Sequence, residues 1–468
     1  MPENNPDLLS LEQVYQLDLD QTRELFAKHM NKGQLHFLRL LGFDRVLIQS
    51  ANGATYTTVD GREILDMFGG FGSLACGHNH PRILKARKSF QDEERHEIAM
   101  AFMSQYAAGL SRNLAALTPE DMSVVFLANC GSVANEAALK LSERQQGSDR
   151  RGVAYASNSF HGKTRAALSV TDSAMYQDSF TLLDTTRRVE FGNLDALRDL
   201  FASDPSIGTF ILETVQGGAG IVFPPDGYIE GVRRLCDEFS VNWIADEVQC
   251  GYGRTGKFFA FEHYDVWPDI VTLAKSLGGG KTAMGAYIAK DSIHRKAYGE
   301  PKNALIHGPA TFSGMGEACV TSIEALNVLF DEELIENSRD VGDHLLRGLQ
   351  TLQGRYPKFI KAVRGKGLML GIEFSDISKT VPAALRPVVG MLDDRLKGSV
   401  CGFVGSLLLR DHGVLVAFTE YNRNVVRLEP PLILSTGQAD YFLESLDEVL
   451  SRGITGIVQS FVRSKVKY

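Results

Sequence analysis

Between residues 120 and 290, short apolar runs alternate with amphipathic stretches. The runs are Ser123–Leu127, Val153–Ser157, Thr209–Leu212, Val241–Ala245, Ile270–Ala274 and Gly285–Ala289. Each is followed by glycine or polar residues. Val133–Arg144 places Val133, Ala134, Ala137, Ala138 and Leu141 on one stripe, which predicts a helix. A run that is apolar at nearly every position fits a strand buried on both faces. Such strands alternating with helices predict an α/β fold with a largely parallel sheet covered on both sides. In sheets of that kind, ligands lie beyond the carboxyl ends of the strands. The residues that follow each run are therefore the ones to inspect.

The flanks read differently. Residues 1 to about 45 are helical in pattern. Arg45–Gln49 and Ala54–Val59 look like strands, with a turn at Asp60-Gly61. Phe68-Gly69-Gly70-Phe71-Gly72 is a glycine-rich loop, and Gly77-His78-Asn79-His80-Pro81 is a turn before a helix starting near Arg82. Beyond residue 330, Asp331–Tyr356 predicts one helix, and Leu368–Phe374, Val414–Phe418 and Val425–Leu428 predict strands. Ala439–Leu450 predicts a closing helix. The expected division is an N-terminal segment (1–75) packing with a smaller α/β C-terminal domain (331–468), and a large domain (76–330) between them.

Composition narrows the function. Apolar residues are 44% and charged residues 23%, which excludes a disordered or fibrous chain. The net charge of −8 argues against a nucleic-acid binder. The six cysteines are scattered with no C-x-x-C pair, so neither a zinc site nor a disulfide framework is expected. The N-terminus lacks a basic region, and no apolar run is long enough to span a membrane. A cytoplasmic protein without a membrane partner is expected. Glycine, at 45 of 468 residues, is enriched, which directs attention to backbone brought close to a ligand.

Four strand ends carry chemistry. Asn129-Cys130-Gly131-Ser132 precedes a helix, where free N–H groups can hold a phosphate, or Ser132 can simply cap the helix. Ser159-Phe160-His161-Gly162 offers an aromatic shelf and a histidine that can be read as a general base, or it is a packed loop. Asp246-Glu247 ends an apolar run; buried carboxylates need partners, so one of the two can pair with a buried cation, or the pair marks a strand end at the surface. Lys275 follows another apolar run and precedes Gly278-Gly279-Gly280. A lysine held there can act as an amine nucleophile that forms a Schiff base. Phosphate cradle, aromatic shelf, carboxylate and lysine together match pyridoxal 5′-phosphate (PLP).

Over residues 53–434 the chain resembles the class III (ω-amino) PLP-dependent aminotransferases of fold type I. The resemblance rests on Asp60-Gly61, Gly77–Pro81, Cys130-Gly131-Ser132, Phe160-His161-Gly162, Asp246-Glu247-Val248-Gln249, Gly253-Arg254-Thr255-Gly256, Lys275 and Arg427-Leu428-Glu429-Pro430-Pro431. Phe68–Gly72, Arg364–Gly367 and Arg427–Leu432 look most like putrescine aminotransferase. The resemblance implies that Lys275 binds the cofactor aldehyde and shuttles a proton, and that Asp246 faces the pyridine nitrogen. Phe160 and Val248 would sandwich the ring, with His161 beside it. Gln249 would reach the ring oxygen, and Gly131 and Ser132 would hold the phosphate. Thr311, in His307-Gly308-Pro309-Ala310-Thr311, would reach the phosphate of a second subunit, making a homodimer with shared sites.

Arg427 would bind the carboxylate of a 2-oxo acid acceptor, with Phe71 and Gly218 near the amine donor. No metal is implied; His78 and His80 belong to the turn motif. One position departs from the family. Members that use both an ω-amine and glutamate carry a glutamate after Gln-Gly, over the arginine, where this chain has Gly218. The proline expected after Glu213 is Thr214. These differences imply an uncovered Arg427 and an altered amine partner. A biosynthetic transaminase acting on a larger aldehyde or ketone, or a related decarboxylase or aminomutase, is the alternative.

Overall fold

The structure is a computed structural model that describes residues 8–98, 102–303, 305–306, 310–376, 399–419 and 421–466. Strands β1 (Ile48–Asn52), β2 (Thr55–Thr58) and β3 (Glu63–Asp66) form an antiparallel meander. The large sheet contains β4 (Val124–Ala128), β5 (Gly152–Ala156), β6 (Thr186–Val189), β7 (Ile207–Glu213), β8 (Asn242–Asp246), β9 (Ile270–Leu273) and β10 (Gly285–Ala289). Their spatial order is β4-β10-β9-β8-β7-β5-β6. The strands from β9 across to β6 pair in parallel, and β10 runs against both of its neighbours. Every residue of β5, β7, β8, β9 and β10 is buried, which is why these strands read as unbroken apolar runs.

The sheet register sets out the site. Glu213, Asp246 and Thr272 pair in one row across β7, β8 and β9 at their carboxyl ends. Beside them, the helix Gly131–Gln146 follows β4 and buries Ala134, Ala137, Ala138 and Leu141 of the expected stripe, whereas Val133 is half-buried.

A smaller sheet has the order β11-β12-β15-β14, built from β11 (Ile360–Lys366), β12 (Met369–Phe374), β14 (Ala417–Phe418) and β15 (Val425–Leu428). The predicted strand Val414–Phe418 is in fact two. Val414–Leu415 (β13) pairs in parallel with β3, and β14 pairs with β15. The chain passes from one sheet to the other at buried Val416. The predicted helix Asp331–Tyr356 is present over Leu334–Arg355, and only its start at Asp331 differs. One helix, Gly316–Asp331, ends there, and Leu334–Arg355 begins after Glu333 in a left-handed conformation, φ 51°. Among the described residues, no helix is long and apolar enough to cross a membrane.

Candidate active site

Gly131, Ser132, Phe160, His161, Asp246, Val248, Gln249 and Lys275 line one cavity of about 670 Å³ at the carboxyl ends of the parallel strands. Asp246 is at its floor, 3% exposed. Its Oδ2 accepts from Asn135 Nδ2 at 2.8 Å and pairs with His161 Nδ1 at 2.7 Å. Its Oδ1 accepts from the Val248 amide at 3.0 Å. Asn135 is fixed in turn, since its Oδ1 accepts from Thr272 Oγ1 at 2.7 Å and its amide also donates to the His161 carbonyl at 2.8 Å. Asn135 escaped the sequence reading. Its signal is a polar residue one step from Ala134 on the buried face of the helix.

His161 is 2% exposed, with Nδ1 committed to Asp246 and Nε2 without a hydrogen-bond partner among the described residues. Of the two carboxylates, Asp246 pairs with a histidine, His161, and among the described residues no lysine or arginine is hydrogen-bonded to either. Glu247, 1% exposed, accepts instead from the Thr214 hydroxyl and from the Ala260 amide at 2.7 Å. Thr214, where proline was expected, thus supplies a hydroxyl. Burial pushes the Glu247 pKa up to about 7. The same cause acts on Glu213, also about 7, where the charges of His161 and Lys275 pull the other way. Glu213 Oε1 accepts from the Phe160 amide at 2.8 Å, which fixes the aromatic shelf.

Lys275 opens a short turn, Lys275–Gly278, with a left-handed backbone, φ 45°. Among the described residues, nothing is hydrogen-bonded to its Nζ. Burial lowers its pKa from the ordinary lysine value; Glu429 and Asp246 oppose the shift and Arg427 adds to it. In the same cavity lining, the helix Gly131–Gln146 has Cys130 as its N-cap residue, and no side chain caps it. Ser132 is therefore not the cap. Its hydroxyl accepts from the Lys163 amide at 3.3 Å. The backbone there tolerates no extra atoms. A Cβ on Gly131 would come within 2.9 Å of Val248, and one on Gly162 within 2.3 Å of the Ser132 hydroxyl. Exposed first-turn amides at a helix N-terminus, a buried carboxylate and an unpaired amine around one cavity fit PLP in phosphate, ring and aldehyde respectively.

The remaining predicted residues lie outside that lining. Arg427, on β15, is 5% exposed, which corrects the expectation that it stands uncovered. Its Nη2 and Nε donate to the Phe418 carbonyl at 3.0 and 3.2 Å, and Nη1 donates to the Gly217 carbonyl at 3.3 Å. Glu429 Oε2 lies 3.6 Å from Nη1, and the Phe71 ring covers the guanidinium at 4.8 Å. The space beside Gly218 is also filled. A Cβ there would lie 3.2 Å from the Tyr421 ring and 3.5 Å from Phe160. Tyr421 OH donates to the Ser159 carbonyl at 2.8 Å, and Thr419 Oγ1 donates to the Gly218 carbonyl. Arg364 donates to the carbonyls of Gly220 and Ile221. Tyr421 and Glu429 were not singled out from sequence. Thr311 is exposed and lies away from the cavity of its own chain; His307–Pro309 fall outside the described residues. Among the described residues, no group of three metal-ligating side chains occurs.

A parallel sheet with its one reversed strand, joined to this lysine–aspartate site, defines a PLP-dependent transferase. The family model for class III aminotransferases matches residues 42–450, and the chain belongs to that family. Solved structures agree. An ornithine aminotransferase from Toxoplasma gondii is 27% identical, with a TM-score of 0.74, over 86% of this chain and 88% of that one. The ornithine δ-aminotransferase of Plasmodium falciparum is 28% identical, with a TM-score of 0.70, over 89% and 93% of the two chains. A transaminase from the marine bacterium Virgibacillus is 26% identical, with a TM-score of 0.79, over 94% and 99%. The protein is a PLP-dependent class III aminotransferase.

Proposed function

We propose that the enzyme moves an amino group from an ω-amine or diamine, of putrescine or ornithine type, to a 2-oxo acid such as 2-oxoglutarate in two half-reactions. The observation that carries this reading is a buried arginine, Arg427, whose guanidinium lies 4.8 Å from the ring of Phe71, in the loop that Gln249 and Ser276 tie to the lysine–aspartate cavity. A guanidinium there matches a substrate carboxylate while the reacting carbon meets the lysine. When bound, PLP supplies an aldehyde for the amine and a ring that accepts an electron pair.

The residues divide the rest of the work. Lys275 Nζ, with its lowered pKa, takes and returns the proton at the amine-bearing carbon. Asp246, held by Asn135, His161 and the Val248 amide, presents its carboxylate to the ring nitrogen. Phe160 and Val248 would hold the two ring faces, Gln249 the ring oxygen, and Gly131 and Ser132 the phosphate. We further propose a homodimer in which Thr311 completes the partner's phosphate site, and the domain division 1–75, 76–330 and 331–468. Six unpaired thiols support a reducing, cytoplasmic setting.

The test is a donor panel of putrescine, cadaverine, ornithine, 4-aminobutyrate, alanine and glutamate, read by bleaching of the bound cofactor. An ω-amine or diamine should bleach it, and 2-oxoglutarate should restore it. Bleaching only by α-amino acids would overturn the donor assignment. The apolar surroundings of Gly218, the Tyr421 ring and Phe160, favour a second reading, amination of a more hydrophobic aldehyde or ketone. Amination of such a carbonyl, with glutamate as donor and without release of carbon dioxide, would select it.

A further inference from the structure

Phe71 stands out by its backbone. Gly69, Gly70, Phe71 and Gly72 are all left-handed, with φ of 56°, 58°, 59° and 76°. A phenylalanine is disfavoured in that region and persists only where its surroundings over-determine it. Here the backbone is fixed at every step. The Gly69 amide donates to Asp66 Oδ1 at 2.8 Å, and the Gly70 carbonyl accepts from Ser73 Oγ at 2.7 Å. The Phe71 carbonyl accepts from Gln249 Nε2 at 3.2 Å, and the Gly72 carbonyl accepts from Ser276 Oγ at 2.8 Å. The loop is thus bonded to the neighbours of both Asp246 and Lys275. It also lies against the chain just past Arg427, where a Cβ on Gly69 would strike the Glu429 carbonyl at 2.2 Å.

The side chain is the opposite of the backbone. The Phe71 ring is 45% exposed and touches Phe68 edge-on at 4.4 Å. Its other neighbour is the Arg427 guanidinium, 4.8 Å away. Behind the arginine lies Glu429, wholly buried, whose two oxygens accept no hydrogen bond among the described residues. Arg427 is therefore closed by an ionic partner on its buried side and by an aromatic face on its open side.

We propose that Phe71 is a specificity-determining residue that masks Arg427. With the ring in place, a donor lacking a carboxylate meets an aromatic surface instead of a positive charge. A carboxylate-bearing acceptor must turn the ring aside to reach the guanidinium, and a fixed backbone with a half-exposed side chain permits that rotation. This inference rests on the assignment of Arg427 as the carboxylate site.

The experiment uses PLP-loaded enzyme, with glutarate and butane-1,4-diamine as probes and binding read from the cofactor absorption band. Phe71→Leu keeps apolar bulk but removes the π face. Glutarate should bind roughly two- to thirty-fold tighter, the span between exposed and desolvated cation–π contacts. The diamine should bind more weakly, because its far ammonium then meets an unmasked like charge. Phe71→Trp should leave glutarate binding unchanged or weaker. Phe71→Gly, which relieves the left-handed backbone, should not lower Tm. Equal changes for both probes, no change for either, or a lower Tm in Phe71→Gly would overturn the masking role. Arg427→Gln separates the two claims: if it leaves glutarate binding intact, the carboxylate-site assignment itself fails.

Discussion

Glu247 yields a quantitative test of the packing beneath the cofactor site. It is buried beside Asp246, with a pKa raised from 4.5 to about 7. A carboxyl group whose folded pKa exceeds its unfolded one binds its proton more tightly in the folded state. Relative to the protonated form, stability is therefore whole below about pH 4.5, falls as pH rises, and reaches its full loss above about pH 7. The shift corresponds to about 3 kcal/mol. An unfolding entropy near 2 cal/mol/K per residue makes that about 3 °C in Tm for a chain of this length. Glu247→Gln removes the titration while keeping an oxygen for the Ala260 amide. Tm of variant and parent, both PLP-loaded, should be compared from pH 5 to pH 8. The variant should gain on the parent by about 3 °C over that range, whatever fixed offset the amide introduces. A difference that stays constant with pH would refute the reasoning, because Glu247 would then ionise alike in both states.

Other consequences follow from the same geometry. Asn135→Ala takes one donor from Asp246 and should lower kcat/KM about ten- to a hundred-fold, the worth of a hydrogen bond to a charged group; unchanged kinetics would show that His161 and the Val248 amide suffice. Lys275→Ala should lose multiple-turnover transamination in a product assay, and full retention would remove the lysine from the mechanism. Gly218→Glu should lower Tm because its side chain meets the Tyr421 ring, and Tyr421→Ala in the same chain should recover the loss; no recovery would place the clash elsewhere. Light scattering should give a dimer, with Thr311→Ala weakening PLP retention about tenfold or more; an active monomer would exclude the shared site.

What the sequence made legible follows from how each residue is buried. The central strands read correctly because both faces are covered, so hydrophobicity is continuous. β6, Thr-Arg-Arg-Val, was missed because it is the polar edge of the large sheet. Lys275 and Asp246 were visible because each directly ends an apolar run. Asn135 acts through side chains more than a hundred residues away, Asp246 and Thr272, and no local pattern announces such a partner. The covering of Arg427 was invisible for a similar reason. Phe71 and Gly217 reach it from distant segments, and Glu429, just past the end of its strand, reads locally as part of a motif.

The seam between the smaller sheet and the large one has a chemical asymmetry. Arg364, Thr419, Tyr421 and Arg427 provide the donors, and peptide carbonyls of Ser159, Gly217, Gly218, Gly220 and Ile221 provide the acceptors. A carbonyl is present whatever side chain its residue carries. The joint therefore depends on the identity of the four donors and is indifferent to the chemistry of the acceptor residues, provided that their added atoms fit. Residue 218 borders the proposed substrate space and contributes only its backbone to this seam. Replacing Tyr421 would remove one of these bonds, to the Ser159 carbonyl, and leave those of Arg364, Thr419 and Arg427 to join the two sheets.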